Sequence, residues 1–427
     1  MEKTPREKGL SVQQAIFPMV GSILGSGILT LPKAVELSGY MISGPILAFI
    51  SSVCAFTLFQ LVHCAKNLES SDPSYFKVCQ NAFSVLGYVA EGSIGVQGFG
   101  AMFVYFLILK EWISKMIGIE SKINTLAYNV LFSIGLILLP TFLGMQKDLK
   151  KLGFISILST ISVLFLSIIV MISGLLALIL PSNGYQMDVL KKATSSSASI
   201  FGALSCYIFG LGCQQNMVKV FSLLDKPTKA NGAKVGSIAI LIASIAYFLV
   251  ANGGYFAGGN GQNKSILDVL VNTDKYFYKV IMSNFGPTLG KWYFYLVNLA
   301  KLAMSIVLLG AYPLQMHPTR DSIISFINIG FKEKVDKNKR VTELAISGLI
   351  SAVILLLSLK ELKYMFVMSL IANTASCYIM FTLPSISYIL SNKKKLPFTL
   401  ISYGILIGSI LFSIVGTTNQ FMRKDDV

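Results

Sequence analysis

An all-α integral membrane protein with about eleven transmembrane helices is the architecture this sequence dictates. Charged residues make up 13% of its 427 positions, about half of the ~25% found in an ordinary soluble domain. Hydrophobic residues make up 54% and the mean hydropathy is +0.67, so a water-soluble globule of this size would expose far too much apolar surface. Apolar stretches of 18 residues or more recur along the whole length, each able to cross a hydrocarbon core ~30 Å thick. A cytosolic enzyme is excluded by the same numbers.

In chain order the runs occupy 12–38, 42–66, 84–109, 126–143, 152–180, 199–223, 235–257, 291–314, 341–360, 363–390 and 397–416. The third is interrupted by Glu91 and several glycines, and the eighth contains Lys301. Between the seventh and eighth, 258–290 is the largest polar loop, too small and too poor in secondary-structure signals to form a domain. Lys/Arg asymmetry orients the set. With the 1–11 tail in the cytoplasm, 21 of the 36 basic residues fall inside, 14 outside, and Lys301 lies within a span. The inside set includes Lys147, Lys150, Lys151, Lys226, Lys229, the FKEKVDKNKR run, Lys393, Lys394 and Lys395. An odd number of spans then puts the 417–427 tail on the outer or lumenal side. The glycosylation sequon Asn263-Lys264-Ser265 falls in an outer loop, as this orientation requires.

Other classes find little support. The net charge of +16 comes from lysines in short loops between apolar runs, the flanks of membrane spans rather than the folded basic face of a nucleic-acid reader. Cys54, Cys64, Cys79, Cys206, Cys213 and Cys377 form no CxxC pattern, which supports neither a zinc site nor a disulfide framework. His63 and His317 are the only histidines. No cluster of His, Asp or Cys has catalytic spacing, and no ring of charge or repeated filter motif suggests a channel. The polar N-terminus MEKTPREKGL lacks a cleavable signal pattern, and nothing implies a cofactor.

Two spans are poor continuous helices. The first, AIFPMVGSILGSGILTLP, combines Gly21, Gly25 and Gly27 with Ser22, Ser26 and Pro32, and glycine and proline weaken helix interiors. Close helix packing through Gly21 and Gly25 is the alternative reading. The sixth places Gly210 and Gly212 beside Cys213, Gln214, Gln215 and Asn216; such polar side chains are costly at membrane depth unless they face a cavity or protein. First and sixth stand five positions apart. Transporters built from two inverted five-helix repeats break the first helix of each repeat near the midplane. There freed N–H groups meet an anion and freed carbonyls a cation. A half-helix N-terminus carries about half a positive charge, so a zwitterionic amino acid suits such a site without an arginine.

GSILGSGILTLPKAVELSGY resembles the first-helix signature of the amino acid/auxin permease family, within the LeuT-like amino acid permeases that include sodium-coupled neutral and vacuolar amino acid transporters. KDLKKLGFISILSTIS (147–162) is similar to that family's start of the fifth helix, and LSCYIFGLGCQQNMVKVFSLLDKPTK to its sixth helix and following loop. GGYFAGGN (253–260) looks like the end of the seventh and YPLQMHPTR (312–320) like the end of the eighth. The resemblance implies a LeuT-type five-plus-five inverted repeat, 12–180 and 199–390, with broken helices 1 and 6 and an extra helix at 397–416. It implies alternating-access transport of amino acids driven by Na+ or H+, at a plasma or a vacuolar/lysosomal membrane. The partners implied are an amino acid and the lipid bilayer, with no nucleic acid; oligomeric state is not legible.

The resemblance also implies roles. Gly25, Ser26 and Gly27, with Ser22, would receive the substrate carboxylate, and Cys206, Tyr207, Phe209 and Gly210 would border the second break. Phe209 packs over the substrate side chain or serves as ordinary packing; Gln214, Gln215 and Asn216 line the cytoplasmic vestibule or touch substrate. The sodium-coupled relatives use an asparagine on the first helix and a threonine on the eighth. The corresponding positions here are Gly21 and the vicinity of Leu309 or Ala311, with Ser305 the nearest hydroxyl. A sodium ion wants several hard oxygen ligands, so the sequence favours a proton. Lys301 either replaces or regulates the missing cation, or snorkels to the outer interface; Glu91 and Glu111 are the other ionisable candidates, Glu111 beside Lys110. Small residues at the first break favour small to medium neutral substrates. A transporter-like amino acid sensor is the competing function, and the short N-terminus argues against it.

Overall fold

The computed structural model describes residues 9–68, 73–119, 125–146, 153–181, 192–194, 196–259, 265–331, 340–360, 362–391 and 396–422. The first helix, α1 (Val12–Ile23), begins at a capping box: Ser11 Oγ accepts from the Gln14 N–H and the Gln14 side chain accepts from the Ser11 N–H. The chain is then extended at Gly25, makes a 3₁₀ turn over Ser26–Thr30 and continues as α2 (Leu31–Ser38), with Pro32 in the first turn where its missing N–H costs nothing. Gly27–Ser38 is bent by 52° from Val12–Ile23.

The following elements are α3 (Tyr40–Lys66), the short α4 (Tyr75–Ala82), α5 (Ser84–Met116), α6 (Leu126–Gly144), α7 (Gly153–Ile179), α8 (Ser197–Leu211) and α9 (Gln214–Ser222). Then come α10 (Lys229–Gly258), α11 (Ile266–Leu270), α12 (Tyr276–Phe331), α13 (Arg340–Ser358), α14 (Tyr364–Ile371), α15 (Leu383–Ser391) and α16 (Leu396–Met422). Between α14 and α15 the helix widens into π turns at Ala372–Ser376 and Tyr378–Thr382. Among the described residues ten helices are long and apolar enough to cross a membrane, with α8 and α9 together making one; the bent α1–α2 pair makes an eleventh span. Leu131, Leu138, Leu241, Ile245 and Leu400 are each more than half exposed on these helices, as lipid-facing side chains must be.

Helices α5, α6, α12 and α13 pack on one another, while α10 packs against α3, α7 and α1. The interrupted spans lie where these groups meet: α2 and α8 pack together, and both approach α10 or α14. On the side where the chain enters α1, a parallel bridge ties Leu10 to the end of α9. The Leu10 N–H donates to Leu223 O (2.8 Å) and the Asp225 N–H to Leu10 O (2.9 Å).

Several boundaries differ from the sequence reading. Short helices α4 and α11 occupy loops, and α12 already begins within 258–290. A break at Gly286, whose φ of 72° suits glycine, separates that first part from a continuous helix over 287–331, about 67 Å at 1.5 Å per residue. This helix was expected to stop at 314, yet it passes Pro313 and Pro318. Beyond the prolines, three hydroxyls of this helix hold it to α5. Thr319 Oγ1 donates to Gly95 O (3.4 Å), Ser322 Oγ to Glu91 O (2.8 Å) and Ser325 Oγ to Glu91 Oε1 (2.7 Å). Glu91 therefore interrupts the apolar run at 84–109 without interrupting the helix. The 1–8 tail, the basic residues at 147–151, 332–339 and 393–395, Asn263 and Lys264 of the sequon, and 423–427 lie outside the described residues.

Candidate functional site

The two breaks meet backbone to backbone. A Cβ on Gly27 would lie 2.8 Å from Gly210 Cα, so neither half-span could approach this closely with a side chain there. At the second break Gly212 (φ −65°, ψ 105°) and Cys213 (φ −142°, ψ 0°) interrupt the helix between α8 and α9. The C-terminal ends of α1 and α8 and the N-terminal starts of the 3₁₀ turn and α9 thus lie at the breaks. Each end carries about half a charge, negative at the two carbonyl ends and positive at the two N–H starts.

One side chain joins the carbonyl ends. The Tyr247 hydroxyl, from the middle of α10, donates to Ile23 O (2.6 Å) and Gly210 O (2.9 Å), sharing its single proton between them. Tyr247 is fully buried, and a Cβ on Gly210 would stand 2.9 Å from its ring. Sequence reasoning missed it because a tyrosine inside a long apolar span carries no local signal. It also missed Gln97 on α5, whose Nε2 lies 3.6 Å from where a Gly212 Cβ would be and whose buried Oε1 has no hydrogen-bond partner among the described residues. Met380, from the second π turn, approaches Gly212 equally closely. At Gly25 a Cβ would meet nothing among the described residues nearer than Ile23 O at 3.9 Å, so the break is open there.

The predicted site residues divide into several groups. Gly25, Gly27 and Gly210 come together at the breaks, and the Phe209 ring packs over Gly27, 3.4 Å from where its Cβ would be. The Ser26 backbone opens the 3₁₀ turn; its side chain lies outside the described residues. Ser22 Oγ is turned back onto Met19 O (2.8 Å), and Gly21 is exposed on α1. Tyr207 is fully buried with its hydroxyl on Ser43 of α3, away from the breaks. Cys206 lines a narrow cavity of ≈ 30 Å³ with Thr30, Ser205, Met368 and Gln420. Gln214, the first residue of α9, accepts from the Cys213 N–H (3.0 Å) and donates to Thr57 Oγ1 on α3 (3.3 Å). Gln215 keeps a buried Oε1 without a partner among the described residues, and Asn216 is exposed.

Lys301 and Ser305 belong to a separate cluster under α11. Lys301 is 5% exposed and its Nζ lies 2.8 Å from Asp268 Oδ1; Ser305 Oγ donates to Lys301 O (2.9 Å). Asp268 also accepts from Trp112 Nε1 (3.0 Å) and Ser265 Oγ (2.9 Å) and lies 3.4 Å from Lys115 Nζ. Burial pushes its carboxyl up. The Lys301 and Lys115 charges, with hydrogen bonds from Lys301 and Ser265, prevail and hold it below the ordinary carboxylate range. Glu111 pairs with Lys115 at i,i+4 rather than with Lys110, whose Nζ donates to Ser358 O (2.8 Å); sequence neighbours on a helix do not face each other.

Comparison with known proteins gives this geometry a family. The chain is 25% identical to "Vacuolar amino acid transporter 5" of Schizosaccharomyces pombe over 389 residues, 90% of this chain and 85% of that protein. It is 24% identical to "Sodium-coupled neutral amino acid transporter 7" of Danio rerio over 446 aligned positions, 98% of this chain and 88% of that protein. The crystal structure of MhsT in complex with L-phenylalanine superposes with a TM-score of 0.57 at 13% identity, covering 97% of this chain and 100% of that one. The fold is therefore of the LeuT type. The family model described as "Transmembrane amino acid transporter protein" matches residues 8–422. That stretch takes in both interrupted spans and every other span of the molecule, so the chain belongs to the family of transmembrane amino acid transporters.

Proposed function

We propose that this chain carries small to medium neutral amino acids across its membrane by alternating access, coupled to protons, with the N-terminal side in the cytoplasm. The observation that carries the reading is the meeting of two broken spans at Gly27 and Gly210. It sets N–H starts and carbonyl ends side by side, a match for a carboxylate and an ammonium on one carbon. Gly25 leaves room for a modest side chain, and the Phe209 ring over Gly27 and Met380 beside Gly212 supply apolar surface at the two breaks. The Lys/Arg distribution supports the orientation, and relatives named as vacuolar favour a vacuolar or lysosomal membrane over the cell surface.

Proton coupling draws support from the lack of oxygen-bearing side chains at Gly21, Leu309 and Ala311, and from the Lys301–Asp268 pair. While paired, Asp268 stays ionised. If α11 lifts, the carboxyl loses its cations while still shielded from water, its pKa rises, and it takes up a proton. The relatives named as sodium-coupled keep a sodium symporter as the competing reading. Counterflow of radiolabelled neutral amino acids in proteoliposomes, with pH and Na+ gradients set independently, tests both. Uptake driven by an inward proton gradient without Na+ is the expected result. An absolute Na+ requirement would reverse the coupling assignment, and binding without counterflow would make the protein a sensor.

A further inference from the structure

Tyr247 occupies the point where the carbonyl ends of α1 and α8 converge, and the transport scheme above makes no use of it. Two half-negative helix ends at membrane depth form a setting in which freed carbonyls commonly meet a cation. Here the Ile23 and Gly210 carbonyls receive a phenolic proton instead, at 2.6 and 2.9 Å. The ring cannot drift away, because Tyr247 is fully buried and lies against Gly210. A hydroxyl held there by the protein satisfies both carbonyls without the dehydration that an alkali ion must undergo.

We propose that the Tyr247 hydroxyl is a built-in substitute for an alkali cation, closing a cation point between the two broken spans and freeing the carrier from sodium there. The substrate ammonium would then use the remaining carbonyls at the breaks. Tyr247 is on this reading a positioning residue that also sets ion specificity. The inference deepens the transport proposal and rests on it only for the uptake measurement.

The experiment compares wild type and Tyr247→Phe, purified and reconstituted, in Na+, Li+, K+ or N-methyl-D-glucamine chloride at matched ionic strength. Thermal unfolding and neutral amino acid uptake are the two readouts. Wild type is expected to be indifferent to the cation in both. Tyr247→Phe leaves two buried carbonyls without their donor, so its uptake in N-methyl-D-glucamine should fall roughly tenfold. Na+ or Li+ should restore a large part of that loss and raise the variant's unfolding temperature. Saturable Na+ stabilisation of the wild type would overturn the proposal, as would a Tyr247→Phe protein whose stability and uptake ignore the cation. Should the variant not fold, the wild-type cation titration decides alone: indifference supports the substitution and saturable stabilisation refutes it. Cation responses as expected with no amino acid movement by wild type would overturn the transport reading and leave this one standing.

Discussion

Gly25 and Gly27, two residues apart, should respond oppositely to the same methyl group. At Gly27 an added Cβ lies 2.8 Å from the Gly210 backbone, which cannot move aside as a flexible side chain could, so the two spans must separate. Gly27→Ala is therefore expected to cost more than tenfold in transport and to lower the unfolding temperature, since overpacking costs roughly 1–3 kcal/mol. Gly25 has φ −130°, an ordinary extended value, and open space around it. Gly25→Ala should fold like wild type and raise KM, more for large side chains than for alanine or serine. Uptake of a graded neutral series checks this; a uniform loss would mean that Gly25 does not border the substrate. A third substitution probes the π turn: Ser205 Oγ donates to Asn373 Oδ1 (2.6 Å), and Asn373 is 1% exposed. Ser205→Ala leaves that oxygen unpaired, worth about 1–3 kcal/mol, read as a lowered unfolding temperature.

The element whose movement matters most is α11, held to α12 through Asp268 and Lys301. A carboxyl whose pKa is depressed in the closed arrangement and raised in the released one stabilises the closed arrangement in full above the released value, and that stabilisation is lost progressively as pH falls from there through the depressed value. Acid therefore favours release of α11. Lys301→Met strands Asp268 without its nearest cation, a loss that costs about 3–5 kcal/mol when the surviving charge stays buried. The variant should keep Asp268 protonated through a wider range, so that uptake loses its dependence on pH; pairing it with Asp268→Asn should recover expression without recovering the pH response. An unchanged pH profile in Lys301→Met would remove the pair from coupling. None of this pairing was visible in the sequence, because the partners stand 33 residues apart and Asp268 looked like one more polar residue of a loop. The breaks were legible for the opposite reason: glycines, a proline and the Gln214–Asn216 run contradict the apolar helix around them within a few positions. Tyr247 and the π turns carry no such contradiction, since aromatic and small residues are ordinary inside a membrane helix. The end of α12 was misplaced in the other direction: the apolar run stops at 314, yet the helix continues to Phe331 with Thr319, Ser322 and Ser325 tied to α5.

For the whole molecule, alternating access requires that the side of the bundle now closed by α2, α8, α14 and α16 open in turn. The cavity there is only ≈ 30 Å³ and is lined in part by Cys206. Cys54, Cys64, Cys79, Cys213 and Cys377 are buried, whereas Cys206 is half-buried. A membrane-impermeant thiol reagent added from the side opposite the N-terminus should therefore modify Cys206 first, and only as fast as this cavity opens. The ion-pair argument gives that rate a direction. Lowering the pH on that side releases α11 and should speed labelling several-fold relative to a small free thiol labelled at the same pH, the reference that removes the falling thiolate fraction, while a neutral amino acid that holds the broken spans together should slow it. The reagent also reports sidedness, because the same compound sealed on the N-terminal side should leave Cys206 untouched. Mass spectrometry of the peptide containing Cys206 reads both effects, and Cys206→Ser supplies the blank. Labelling that ignores pH and substrate alike would mean that the closed side is a static wall, and that the two broken spans do not take turns facing the two sides of the membrane.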